Sequence, residues 1–384
     1  MKIAVMKERR ADERRVAATP ETVRKFVNLG VEVVVEAGAG ICAHISDNDF
    51  QEAGAAIAAD AAATLAGADV ILKVRRPIMP DEEGSDELAP MRAGQALIAM
   101  LNPLIRRADC DAYAAAGIDA YAMEFMPRIS RAQGMDVLSS QANLAGYKAV
   151  LDATEEFDRA LPMMMTAAGT IAPAKVFVMG AGVAGLQAIA TARRLGAVVS
   201  ATDVRPVARE QVQSLGANFV MVEDDETAQA ETDEGYAKEM SAAYQKKQAA
   251  LIAETIARQD IIICTALIPG RTAPVLVDEA MVASMKPGSV IVDLAVENGG
   301  NCALSEMGRV VEVNGVKIIG HSNFPARLPI DASNLYARNL FNFMSPHIAG
   351  ENGTLSFDFE DETVSGVCLT QDGAVIHPLL GEKE

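Results

Sequence analysis

Short apolar runs alternate with longer segments of helical periodicity along the first part of the chain. Residues 19–30 are typical of a helix, because Thr19, Pro20 and Glu21 provide a hydroxyl cap, a fixed first turn and an early acid, and Gly30 ends it. Apolar runs between such segments predict strands at residues 2–6, 31–40, 68–74, 95–101 and 118–124. This alternation indicates a parallel, doubly wound sheet.

A second alternating series begins at Lys175. Its apolar runs predict strands at residues 176–179, 198–202, 219–222, 261–265, 290–294 and 316–319. A helical stretch at residues 139–159 is expected to cross between two domains, and another at residues 329–343 is expected to return. We therefore predict an α/β protein with two doubly wound, parallel-sheet (Rossmann-like) domains. The first domain comprises residues 1–145 and 330–384, from both ends of the chain, and the second comprises residues 146–329.

Composition excludes several classes of function. The 384 residues carry a formal net charge of −18, whereas binding to nucleic acid or to an anionic lipid surface needs basic patches. The five cysteines are far apart and form no CxxC pair or Cys/His cluster, so no metal site is predicted. No apolar stretch approaches the roughly 18 uninterrupted residues of a membrane span, and we expect a cytoplasmic chain without a direct membrane span.

A glycine-rich turn, GAGVAG at residues 180–185, directly follows the predicted strand at residues 176–179. In a dinucleotide-binding turn, Gly180 would permit the tight bend, Gly182 would let the backbone approach a pyrophosphate, and Gly185 would allow close packing of helix on strand. The following helix would offer unpaired N–H groups and partial positive charge to the phosphates. The strand, turn and helix together predict a dinucleotide site.

Asp203 ends the next predicted strand, about 20 residues after the glycine turn, where a carboxylate accepts hydrogen bonds from the adenosine ribose. The same carboxylate would repel a 2′-phosphate, so it favours NAD(H) over NADP(H). Arg205, two residues later, leaves the alternative open, because an arginine there could pair with that phosphate. We interpret the site as one for NAD(H).

The segment MEFMPRISRAQGMDVLSSQANLAGY, residues 123–147, concentrates polar side chains at the predicted domain junction. Arg128, Gln133, Asp136 and Ser139 all lie in this short span. One interpretation is a ligand-facing loop that leads into the crossing helix. The other is a capped helix start, with Asp136 or Ser139 as the cap and the arginines in solvent.

This segment, the glycine turn and several further motifs closely resemble the NAD(H)-binding component of proton-translocating NAD(P) transhydrogenases. The likeness extends over almost the whole chain. The further motifs are PMMMTAAGT (162–170), TDVR (202–205), GYAKEM (235–240), TALIPGRTAPVLV (265–277), MKPGSVIVDLAVENGGN (285–301) and DETVSG (361–366).

The resemblance implies a role for each matching residue near the nicotinamide. Arg128 is expected to hold the carboxamide region, and Gln133 to bridge toward the nicotinamide of a partner protein. Asp136 and Ser139 are expected to complete the polar loop around the ring. Tyr236 and Met240 lie on a charged segment that resembles a mobile loop closing over NAD(H); the alternative for Tyr236 is a surface aromatic.

The remaining cofactor contacts are also implied by the resemblance. They group around the glycine turn, the end of the following strand and the loop after residues 261–265. The expected residues are Gly180, Ala181, Gly182, Val183, Gly185, Asp203, Val204, Arg205, Ala266 and Leu267.

The family resemblance also implies partners. Hydride is expected to pass between NAD(H) on this chain and NADP(H) on a separate component that is held by a membrane domain, coupled to proton translocation. The chain is then expected to be a homodimer that is peripheral to the inner membrane through its partner subunits. Transfer between two nicotinamides needs both rings held about 3–3.5 Å apart in a water-free site, with no proton transfer from either ring.

A self-contained enzyme similar to alanine dehydrogenase is the alternative, because that enzyme shares the fold and many motifs. Amino-acid oxidation needs a positioned acid or base, and Arg15 and Lys73 resemble two residues of its substrate pocket. A histidine is expected after the strand at residues 95–101, where this chain has Asn102, and the expected aspartate is replaced by Glu297. The alanine pocket is therefore expected to be disabled.

Overall fold

The computed structural model describes residues 1–205, 207–222, 241–268, 270–350 and 353–381. The chain folds into two compact units. The first unit comprises Met1–Gln141 and Ala326–Glu384, and the second comprises Ala142–Pro325. In the parts of the chain described, no helix is both long and apolar enough to cross a bilayer.

The helices are numbered along the chain. They are α1 Pro20–Asn28, α2 Asp47–Glu52, α3 Ala61–Leu65, α4 Arg107–Ala115, α5 Val137–Glu156, α6 Val183–Arg194, α7 Ala208–Ser214, α8 Ala242–Ile256, α9 Glu279–Ser284, α10 Pro329–Met344 and α11 Glu362–Ser365.

The strands follow the same convention. They are β1 Lys2–Val5, β2 Glu32–Glu36, β3 Ala56–Ala58, β4 Val70–Arg75, β5 Ala96–Met100, β6 Asp119–Ala122, β7 Met164–Thr166, β8 Gly169–Ile171, β9 Lys175–Met179, β10 Val198–Thr202, β11 Asn218–Phe219, β12 Ile261–Cys264, β13 Val290–Asp293, β14 Arg309–Val313, β15 Val316–Gly320, β16 Ile348–Ala349, β17 Thr354–Leu355, β18 Thr370–Gln371 and β19 Ala374–Val375.

The first unit is built on a six-stranded parallel sheet in the order β3-β2-β1-β4-β5-β6. Side chains from both of its faces are buried, as expected for a parallel sheet covered by helices, and they form two clusters on opposite faces. The apolar runs predicted the other strands and missed β3. Its three residues, Ala-Ile-Ala, are too short and too exposed to give a strand pattern.

The second unit contains a seven-stranded sheet in the order β11-β10-β9-β12-β13-β15-β14, parallel except for the edge strand β14. Leaving out β14, both sheets have the order 3-2-1-4-5-6 of a doubly wound fold. The predicted fold class is therefore confirmed. In such sheets ligands bind at the carboxyl ends of the strands where the order reverses, which is between β9 and β12 in the second unit.

Two helices and one hairpin qualify the sequence prediction. α5 and α10 occupy the two predicted helical stretches, with ends shifted by a few residues. Within the second unit, Gly146 of α5 lies so close to α6 that an added Cβ would be 2.0 Å from the Ala184 carbonyl oxygen. The hairpin of β7 and β8 was not predicted, and its Met164 and Met165 are exposed.

Candidate nucleotide-binding site

The glycine turn joins the carboxyl end of β9 to the first residue of α6. Gly180 has φ 104°, a left-handed conformation that favours glycine, and a Cβ there would lie 2.6 Å from the Thr265 hydroxyl. A Cβ on Gly185 would lie 1.8 Å from the Gly180 carbonyl oxygen. A Cβ on Gly182 would meet nothing within 4 Å. Gly180 and Gly185 are thus required by the protein's own packing, whereas Gly182 faces open space.

The amino end of α6 forms one side of that open space. Gly182 is the N-cap residue, and its carbonyl accepts from the Leu186 amide at 2.8 Å, so α6 starts directly at the turn. The first N–H groups of an α-helix have no acceptor within the helix and carry partial positive charge. Ala181 is buried, whereas Gly182 and Val183 are exposed. An anion such as a pyrophosphate therefore fits here.

Asp203 follows β10 and lies beside the glycine turn. One carboxylate oxygen, Oδ2, accepts from the Ala181 amide at 2.6 Å and from Nη2 of Arg205 at 3.1 Å. The other, Oδ1, accepts from the Arg205 amide at 2.8 Å and from its Nε at 2.9 Å. Burial raises the pKa of Asp203, but these hydrogen bonds outweigh it and hold the pKa below its usual value.

Ala266 and Leu267 lie on the loop that follows β12, the strand next to β9. Asn301 clamps this loop, since its Oδ1 accepts from the Ala266 amide at 3.0 Å and its Nδ2 donates to the Ala266 carbonyl at 2.9 Å. The Asn301 amide in turn donates to Asp293 Oδ2 at 2.8 Å. Leu267 and Val204 are exposed. Sequence reasoning missed Asn301 and Asp293, whose only signal is an amide after two glycines in VENGGN.

The segment with the predicted ring contacts belongs to the first unit. Arg128 and Gln133 are exposed, and Gln133 lies in a short 3-10 turn at Ser130–Met135. Asp136 and Ser139 are bonded to each other, because Asp136 accepts from the Ser139 amide at 2.9 Å and from its hydroxyl at 2.6 Å. This arrangement is a cap at the start of α5, so these two groups already have a structural partner.

Other residues of the first unit hold this turn in place. Arg131 forms a two-fold ion pair with Asp361, with distances of 2.8 and 2.7 Å. The Gly134 carbonyl accepts from the side-chain amides of Asn339 and Asn342 at 2.8 and 2.9 Å, both from α10. No sequence pattern indicated these supports beyond the motif DETVSG. Tyr236 and Met240 lie outside the described residues.

The two cations that resemble a substrate pocket are tied to carboxylates of the first unit. Arg15 donates through Nε and Nη2 to Glu13 and through Nη1 to Gln141. Lys73 is fully buried, with Nζ 3.3 Å from Glu8 and 3.1 Å from Glu87. These internal carboxylates take the place that a substrate carboxylate would need.

A glycine turn that opens a helix beside a strand-end aspartate defines a Rossmann-type nucleotide-binding protein. The chain belongs to the alanine dehydrogenase/PNT family, because the N-terminal domain of that family matches residues 4–145 and its C-terminal domain matches residues 149–378.

Within this family the chain is similar to transhydrogenases. An NAD(P) transhydrogenase subunit alpha polypeptide of Rhodospirillum rubrum is 58% identical over 380 residues, which cover 99% of each chain. The crystal structure of transhydrogenase from Sinorhizobium meliloti has 55% identity and a TM-score of 0.88, covering 98% of this chain and 100% of that one. The resemblance inferred from the motifs is confirmed.

The alanine dehydrogenase branch is more distant in sequence but similar in fold. A structure of L-alanine dehydrogenase has 25% identity and a TM-score of 0.80, with 99% of this chain and 98% of that chain covered. The shared fold is why the same cations recur in the first unit.

Proposed function

We propose that this chain binds NAD(H) and exchanges hydride with NADP(H) held by a partner subunit, coupled to proton translocation across a membrane. NAD(H), when bound, supplies the hydride chemistry, and the chain's own residues bind the nucleotide and orient it. The observation that carries the proposal is the open Gly182 turn beside Asp203 in a chain 58% identical to a transhydrogenase alpha subunit.

The residues around the turn suit NAD(H). The helix start at Gly182 favours the pyrophosphate, and a carboxylate at Asp203 favours ribose hydroxyls over a 2′-phosphate. Ala266 and Leu267, on the loop fixed by Asn301, lie beside the strand end at which such sheets bind ligands.

The turn at Ser130–Met135 suits a positioning role. The exposed Arg128 and Gln133 can donate hydrogen bonds, and Arg131 and the Gly134 carbonyl anchor the turn to α10 and α11. Anchored donors lose little freedom when they orient a ring, which is what hydride transfer between two nicotinamides requires. Asp136 and Ser139 would then act mainly by fixing the start of α5, and so the geometry of the turn.

The second candidate is an NAD-dependent amino-acid dehydrogenase, favoured by Arg15 and Lys73 and by the likeness to L-alanine dehydrogenase. The internal pairs of both cations with carboxylates, and the presence of Asn102 where that enzyme is expected to have a histidine, argue against it. The residue that follows β5 then has no imidazole to exchange the protons that amine oxidation needs.

The relatives named subunit alpha support a partner-dependent enzyme. We propose that the NADP(H)-binding component and its membrane domain complete the active site, that the chain is a homodimer, and that it lies in the cytoplasm, peripheral to the inner membrane through these partners.

Reconstitution tests this function. Mixing the purified chain with NADH and an isolated NADP-binding component should reduce the bound NADP, whereas pyruvate with ammonia should not oxidise NADH with the chain alone. Pyruvate-dependent turnover by the chain alone would reject the proposal in favour of the second candidate.

The same assay tests the positioning residues. Arg128→Ala and Gln133→Ala should slow hydride transfer at least about tenfold while changing the Kd for NADH less than about threefold, because they orient the ring. Arg24→Ala, on the exposed face of α1, is the matched control and should transfer at the normal rate. Normal transfer by either of the first two variants would contradict the assignment.

A further inference from the structure

The carboxylate of Asp203 has no free acceptor position. A carboxylate offers about four lone-pair sites, and four donor contacts fill them here. Ala181 contributes one through its amide, and Arg205 contributes three through its amide, Nε and Nη2, at distances from 2.6 to 3.1 Å. A ribose hydroxyl can therefore bond to Asp203 only if one of these donors leaves.

The donors differ in how easily they can leave. The Ala181 amide is fixed between Gly180, which is in the left-handed conformation, and the start of α6. The Arg205 amide is fixed by the backbone, only two residues from the carboxylate it serves. The Arg205 guanidinium instead sits at the end of a side chain that is 37% exposed, while that of Asp203 is 7% exposed. Only the guanidinium can move away without a change in the backbone.

We propose that Arg205 is a built-in competitor of the nucleotide, whose guanidinium holds the two Asp203 acceptor positions that the adenosine ribose hydroxyls take when NAD(H) binds. This inference rests on the proposed function and adds a specificity-determining residue to it. Binding exchanges two charge-assisted hydrogen bonds to the guanidinium for two hydrogen bonds to hydroxyls.

The exchange has a consequence for release. An ion pair of this exposure is weak, and its loss changes an equilibrium by roughly two- to fivefold. Re-formation of the pair in the free protein favours dissociation by that factor, so Arg205 speeds the exchange of NADH for NAD⁺ at the expense of affinity. Once displaced, the guanidinium lies near the ribose and is available to a 2′-phosphate, so it also narrows the preference for NADH over NADPH.

Binding measurements on Arg205→Ala test this inference. We expect the Kd for NADH to fall about two- to fivefold and the Kd for NADPH to rise. For an NADH analogue with a 2′-deoxyadenosine ribose, the gain should shrink, because one of the exchanged hydroxyls is missing. Arg205→Lys, which keeps the charge but loses the two-pronged contact, should give an intermediate Kd.

The control separates the local exchange from net charge. Arg194→Ala removes one positive charge from an exposed position near the end of α6, and it should leave the Kd for NADH unchanged or slightly higher. The inference is overturned if Arg205→Ala binds NADH as the Arg194→Ala control does, or more weakly. If the unaltered chain fails to bind NADH at all, the proposed function itself has failed, which is a distinct result.

Discussion

Glu124 lies just after β6, and its two carboxylate oxygens have different surroundings. Oε1 accepts from the Asn102 amide, whereas Oε2 is buried without a hydrogen-bond partner among the described residues. Burial raises the pKa of this carboxyl to about 7, against the lowering effect of nearby backbone amides. A single residue thus makes the stability of the first unit sensitive to pH near neutrality.

The sign of the pH effect follows from the raised pKa. Between about 4.3, the usual pKa of glutamate, and about 7, the folded carboxyl keeps a proton that the unfolded one has lost, so stability falls as the pH rises through this range. Glu124→Gln has no such titration. We expect its free energy of unfolding to exceed that of the unaltered chain by ~1–3 kcal/mol more at pH 8 than at pH 5.

Urea unfolding at the two pH values measures this difference. Glu155→Gln, an exposed carboxyl near the end of α5, serves as the control and should show no difference between pH 5 and pH 8. An equal response of the two variants would show that the Glu124 carboxyl does not titrate near neutrality.

The glycine turn between β9 and α6 combines two requirements within a single element. Gly185 is needed for packing, because a side chain there would meet the Gly180 carbonyl, whereas Gly182 has room for a side chain in the protein alone. The two positions therefore separate folding from ligand binding.

Alanine at each position tests this separation. Gly185→Ala should lower the free energy of unfolding by roughly 1–3 kcal/mol or more, because the turn must open to admit a Cβ. Gly182→Ala should change it by no more than about 1 kcal/mol but weaken NADH binding at least about tenfold, since its Cβ would occupy the approach of the pyrophosphate. Thermal denaturation and NADH titration measure both. Unchanged NADH binding by Gly182→Ala would mean that the nucleotide does not approach this turn.

At the scale of the whole molecule, the expected homodimer needs an apolar surface to cover. The hairpin of β7 and β8 in the second unit carries such a surface, with Met163 60%, Met164 43% and Met165 79% exposed. In a chain of net charge −18, an exposed patch of adjacent methionines is a candidate contact between two copies.

Sedimentation equilibrium tests the assembly. The chain should sediment at twice its 40.5 kDa, and Met165→Asp should shift it toward the monomer, because a buried carboxylate without a partner is costly. Met307→Asp alters a methionine that is 64% exposed and lies outside this hairpin, and it should remain a dimer. A Met165→Asp chain that stays dimeric would exclude the hairpin as the contact.

Local patterns determined much of this protein. The period of the apolar residues predicted two doubly wound sheets, and the spacing of Gly180, Gly182 and Gly185 with Asp203 predicted the dinucleotide turn. These features could be inferred because strand and helix periodicity, and the bend at a glycine, depend on residues close together in the chain. Weak patterns failed, as at the three-residue strand β3.

Only the tertiary structure decided which distant side chains support the site. Asn301 clamps Ala266 across 35 positions, and Arg131 pairs with Asp361 across 230. Lys73, which as sequence could have met a substrate, instead lies buried between Glu8 and Glu87. Such contacts depend on which strands and helices become neighbours, and a hydrogen bond needs its two groups within about 3 Å, a distance that no local pattern in the chain specifies.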